Sequence, residues 1–147
     1  MKKNLSRAAA AVALSAALLS LAGCQTVVQE LEAQDAVTIQ LVCQSEDVYQ
    51  IFYSTYLEGE AYGQGGWADL DGKALTPETS LTASFDKEYF EGKDISTLSM
   101  DFSPYGEGDT VELATTEQVA IPAEYGETYT ILFTGDEENG FTAQLQP

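Results

Sequence analysis

From Val37 onward the side chains alternate with a period of two. Val37, Ile39, Leu41 and Cys43 fall on one side and Thr38, Gln40 and Gln44 on the other. Only an extended strand with one buried face places such a set together. The pattern recurs with Leu81, Ala83 and Phe85, and with Leu98, Met100 and Phe102. It returns with Tyr129, Ile131 and Phe133, answered by Phe141, Ala143 and Leu145. Asn139-Gly140 separates the last two runs and is a strong hairpin signal, because both residues tolerate positive φ. No stretch after residue 36 carries a convincing helical period.

Other segments read as connections or less regular strands. Ser45-Glu46-Asp47 is a turn, and Val48 to Leu57 is a strand with apolar groups on both faces. Such a strand is covered on both sides or carries an exposed aromatic face. Glu58 to Gly66 reads as a glycine-rich loop holding Tyr62. Asp86 to Asp94 is a turn or a single helical turn that tucks one ring of Tyr89-Phe90 into the core. Ile95 to Phe102 is a strand, Ser103 to Asp109 a Pro/Gly loop, and Thr110 to Ile121 one strand or two. The sum is an all-β chain, an antiparallel β-sandwich of seven to eight strands spaced about ten to fifteen residues apart. In architecture alone, this rhythm resembles an immunoglobulin-like sandwich; a jelly roll or small barrel is the alternative.

The N-terminus follows a different rule. Lys2, Lys3 and Arg7 precede Ala8–Ala22, which has no charge. At about 1.5 Å per residue these fifteen residues span roughly 22 Å, short of the ~30 Å a membrane-spanning helix must cross. The run is therefore a helical export signal rather than a permanent span. It ends in Leu21-Ala22-Gly23-Cys24, which resembles the lipobox of bacterial lipoproteins. The resemblance implies diacylglycerol on the Cys24 sulfur, cleavage before Cys24 and, in many bacteria, a further acyl chain such as palmitate on the new amino group. Each buried methylene contributes about 0.8 kcal/mol, and stable anchoring takes more than one chain. The expected organisation is a signal peptide over 1–23, a tether over 24–36 and a β-sandwich over 37–147. The expected location is the cell membrane, lipid-anchored on its extracytoplasmic side.

Residues 1–23 hold three of the six basic residues and none of the twenty-four acidic ones, so cleavage leaves a net charge of −21. That balance excludes nucleic acid, whose phosphates demand Lys and Arg. With Cys24 lipidated, Cys43 is the sole thiol and sits on the apolar face of its strand.

The chain has no histidine, which removes Ser-His and Cys-His nucleophiles and His metal ligands. Lys73, Lys87 and Lys93 lie in no catalytic motif. No enzymatic activity, cofactor or metal is expected. The acidic loops Asp69-Leu70-Asp71-Gly72, Gly106-Glu107-Gly108-Asp109 and Gly135–Gly140 supply calcium-type oxygens, but their plainer role is as solvated turns. A second candidate is aromatic: Trp67, Tyr62 and Tyr53, with Tyr49 and Tyr56 nearby, form a stacking platform for carbohydrate if exposed and coplanar. Otherwise they are core and core edge, ring buried and polar tip outside. The expected partners are the membrane through Cys24 and a surface glycan or envelope protein.

Overall fold

Alternation along the first strand sets the register of the whole molecule. The computed structural model describes residues 34–108 and 112–147. The expected signal helix, Cys24 and the tether to residue 33 lie outside the described residues. The strands are β1 (Ala36–Cys43), β2 (Gln50–Leu57), β3 (Glu60–Ala68), β4 (Leu81–Asp86), β5 (Ser99–Tyr105), β6 (Val119–Ala120), β7 (Thr128–Asp136) and β8 (Gly140–Leu145). They form two four-stranded sheets, ordered β4-β1-β7-β8 and β3-β2-β5-β6.

Val37, Ile39, Leu41 and Cys43 all point inward from β1 and are fully buried. Val37 lies opposite Phe85, and Leu41 opposite Leu81, in the antiparallel pairing with β4. The other side of β1 is paired with β7, and that pair is parallel. A parallel pair needs a long crossover, here supplied by the whole chain between Cys43 and Thr128. The likeness to immunoglobulin sandwiches therefore stops at the two facing layers. Those folds put the first strand at a sheet edge, whereas β1 lies inside its sheet.

One core joins the two layers. Ile39, Phe85, Ile131 and Phe133 enter it from the first sheet and Ile51, Met100 and Phe102 from the second. Phe90, from the turn after β4, is the ring tucked inside, with no exposed surface. Cys43 is buried too; its thiol donates to the Ser45 carbonyl at 3.7 Å. Burial pushes its pKa up, with that hydrogen bond opposing, so it behaves as a small core residue rather than a nucleophile.

Three connections differ from expectation. The glycine-rich segment is not a loop: Glu60–Ala68 is β3, paired with β2 and bulged at Tyr62. The real turn is Glu58-Gly59, with φ of 55° and 81°, the two positive values a tight hairpin needs. The second departure is at β5. Ile95–Thr97 forms a 3-10 turn capped by Asp94, whose carboxylate accepts from the Ser96 N–H. The strand then runs from Ser99 to Tyr105 through Pro104. Proline is tolerated there because its missing N–H would point away from β2: the backbone of Phe102, two residues earlier, bonds to Thr116 on that far side. Third, the described part of 110–121 contributes only a bridge at Glu112 and the two residues of β6.

The β7–β8 hairpin forms where Asn139-Gly140 predicts it. Its loop is Glu137-Glu138-Asn139, Gly140 adopts φ 86°, and Asp136 pairs with Gly140. The Asp136 carboxylate accepts from the Glu138 N–H at 2.9 Å, the Asn139 N–H at 2.7 Å and the Asn139 amide at 3.0 Å. The Asn139 side chain, then its backbone N–H, holds this carboxyl below its ordinary value. A depressed carboxyl stabilises the fold above its unfolded pKa of about 3.9, and that contribution is lost as pH falls through the lower folded value. Asp136→Ala is therefore expected to lower the urea midpoint at pH 7, with the gap to wild type closing in strong acid. A gap that stays constant down the acid limb would rule out the ionised carboxylate as its cause.

Candidate functional site

The sequence-predicted aromatics lie along one flank of the sandwich, where the edge strands β3 and β4 face each other. Ile51 pairs with Trp67 and Tyr53 with Gly65, so Trp67 and Tyr53 project from neighbouring strands toward the opposite sheet. Their ring centroids are 4.7 Å apart at an interplanar angle of 45°. Trp67 stacks over buried Phe102 at 6.4 Å, and its indole N–H donates to the Thr82 carbonyl of β4 at 3.0 Å. Tyr53 meets Phe85 of β4 edge-on at 5.9 Å. Burial, and then the neighbouring Tyr89, raise its hydroxyl pKa.

Tyr62 belongs to the same seam but to a separate cluster. Its hydroxyl donates to the Tyr89 carbonyl at 2.8 Å, its ring stacks on Phe90 at 5.8 Å, and the Lys93 ammonium lies 4.7 Å from its centroid. All three predicted rings are half-buried and packed against the core. They do not make the flat, exposed platform that carbohydrate stacking requires. The inclined rings close the gap between two sheets, with the Trp67 and Tyr62 tips bonded across it. Tyr89, Phe85 and Phe90 complete this seam; among these, the sequence placed Phe85 inward by its phase with Leu81 and Ala83, and one ring of Tyr89-Phe90, but not their joining Tyr53, Tyr62 and Trp67.

The glycines of β3 follow from the seam. A Cβ on Gly63 would collide with the Tyr89 hydroxyl, and one on Gly65 with the Tyr53 ring. A Cβ on Gly66 would sit 2.9 Å from the Phe52 ring on the outer face. Buried Thr55 completes the inner contact, donating to the Gly63 carbonyl at 3.2 Å beside the Tyr89 hydroxyl. The outer face of β2 and β5 holds a further aromatic group. Phe52 is 47% exposed and meets Tyr105 edge-on at 5.2 Å. Next to them the Tyr56 hydroxyl donates to Asp101 at 2.7 Å, a bond that raises the tyrosine pKa.

The acidic turns come apart into two groups. Asp69 accepts from the Asp71 N–H at 2.8 Å and stays within its own turn, where Lys73 pairs with Asp71 at 3.4 Å. The hairpin loop with Asp136, Glu137 and Glu138 instead shares an open cleft of about 540 Å³ with Glu46, Asp47 and Glu107. Among the described residues no group of three His, Cys, Asp or Glu side chains is arranged to hold a metal ion. Asp109, the last member of the second predicted loop, lies outside the described residues. No known protein family matches this chain, and no curated protein is recognisably similar to it.

Proposed function

We propose that this chain is a lipid-anchored protein of a bacterial cell envelope, tethered through Cys24 on the extracytoplasmic side. Its β-sandwich serves there as a non-enzymatic interaction or structural module. The observation that carries the anchor is the N-terminal sequence: Lys2, Lys3 and Arg7, the uncharged run Ala8–Ala22, and Leu21-Ala22-Gly23-Cys24 at its end. Support for a non-enzymatic domain comes from the side chains themselves. The chain has no histidine, Cys43 is buried with a raised pKa, and the candidate aromatics are spent on closing the sandwich.

The test is Cys24→Ser in a bacterial host grown with labelled palmitate. The variant is expected to lose the label and to leave the membrane fraction, while wild type keeps both. Full retention of the variant in the membrane overturns the anchor.

A further inference from the structure

β3 ends its sheet, and the direction of its free backbone groups follows from alternation. Phe102 bonds through both backbone groups to Thr116, so it points away from β2. Its partner Tyr53 therefore points away from β5 and toward β3. In an antiparallel ladder bonded and non-bonded pairs alternate. Ile51, Tyr53 and Thr55 thus bond to β3, through Trp67, Gly65 and Gly63. The N–H and C=O groups of Gln64, Gly66 and Ala68 then face outward. All three residues are exposed, and among the described residues nothing pairs with that side of the strand.

Natural sheets protect long edges with lysine, proline, short strands or covering side chains. Two other edges here follow that rule: β6 has two residues, and Trp67 bonds to the outward carbonyl of Thr82 on β4. β3 does not. It runs for nine residues, Glu-Ala-Tyr-Gly-Gln-Gly-Gly-Trp-Ala, without lysine or proline, and its one bulge, at Tyr62, lies before residues 63–68, which pair regularly with β2. Its charge is confined to the ends. Glu58 and Glu60 stand before its neutral stretch, and Asp69 and Asp71 after it. Antiparallel pairing with a second copy would set each acidic end against the other acidic end, in a chain whose net charge is already −18. The complementary strand is neutral in the middle and basic at both ends.

We infer that the outer edge of β3 is a strand-addition site for an extended segment of a partner protein, with β-branched or other neutral residues flanked by Lys or Arg. Main-chain bonds to Gln64, Gly66 and Ala68 hold the segment, and the acidic ends select its charge. The inference rests on the interaction-module reading and names where the partner binds.

The experiment uses the full chain in neutral detergent and a synthetic peptide, Lys-Lys-Thr-Val-Thr-Val-Thr-Lys-Lys. Saturable binding is expected, weakening as salt screens the ends, with slowed hydrogen exchange at the Gln64, Gly66 and Ala68 amides. Gln64→Pro removes an outward donor without touching the ladder to β2 and is expected to weaken binding by at least about tenfold. Gln64→Ala keeps the N–H and is expected to bind as wild type does. The same peptide with glutamate in place of each lysine, which needs no variant, is expected not to bind. Absence of saturable binding, equal binding of the glutamate peptide, or indifference to Gln64→Pro overturns the inference. So does protection of the three amides that rises with protein concentration and no peptide, which would make a second copy the occupant. A chain anchored through Cys24 that ignores the peptide overturns only this inference; a chain that binds the peptide without being anchored overturns only the anchor.

Discussion

Gly135→Ala is expected to destabilise the domain by about 2–5 kcal/mol, a large part of the ~5–15 kcal/mol that holds a typical domain together. Two separate costs meet at this position. Gly135 has φ 112°, which a residue with a Cβ rarely adopts. The new Cβ would also collide with the Gly140 carbonyl oxygen and lie 2.8 Å from the Phe141 Cα. These are backbone atoms, so no side-chain rotation relieves the contact. Relief means parting β7 from β8 where Gly135 pairs with Phe141, and Phe141 holds its ring stacked on buried Phe133 at 5.5 Å. Gly59 supplies the comparison. It has φ 81°, but a Cβ there would meet nothing within 4 Å. Gly59→Ala therefore carries the conformational cost alone, about 1–2 kcal/mol. Urea unfolding of the two variants separates the two costs. Equal losses would show that the backbone collision contributes nothing.

Phe102→Ala is expected to cost about 3–5 kcal/mol. Phe102 is fully buried near the middle of β5, opposite Tyr53 of β2, and its ring lies nearly parallel to Trp67, 15° between the planes. Truncation leaves a cavity beneath the indole, and β5, held there by β2 on one side and by the bonds to Thr116 on the other, cannot collapse to fill it. The loss is read by urea unfolding, and Trp67 fluorescence supplies a local signal. In the variant the indole is expected to become more open to acrylamide while its bond to Thr82 still ties it to β4. A loss below about 1 kcal/mol would mean that the ring is not part of the packed core.

Both positions show how far the sequence could be read. Phe102 was legible: it falls in phase with Leu98 and Met100, and all three are buried. Phe90 was half legible, as one of two adjacent rings at a turn. The glycines of β3 were misleading, because Gly63, Gly65 and Gly66 carry the composition of a loop. They are strand residues whose missing side chains leave room for Tyr89, Tyr53 and Phe52, and two of those rings come from a neighbouring strand while the third comes from a turn more than twenty residues away. Pro104 misled for a related reason: it reads as a strand breaker until the direction of its absent N–H is known.

For the candidate site the division is the same. Trp67, Tyr62 and Tyr53 were identified as a group by proximity in the chain, and they do lie along one flank. Whether they present faces to solvent or spend them on packing depends on β4 and on the turn at Tyr89, which no local pattern reveals.

By itself the sequence determined what depends on neighbouring residues: strand phase, the buried side of β1, the β7–β8 hairpin, the acidic surface and the absence of histidine chemistry. These follow from the two-residue period of an extended chain and from composition. Tertiary structure alone decided that β1 lies beside β7 in parallel, that the aromatics form a seam, and that β3 is a strand whose outer edge is unpaired among the described residues. Each of those depends on which distant segments share a sheet, and pairing energies between distant strands leave no periodic mark on either one.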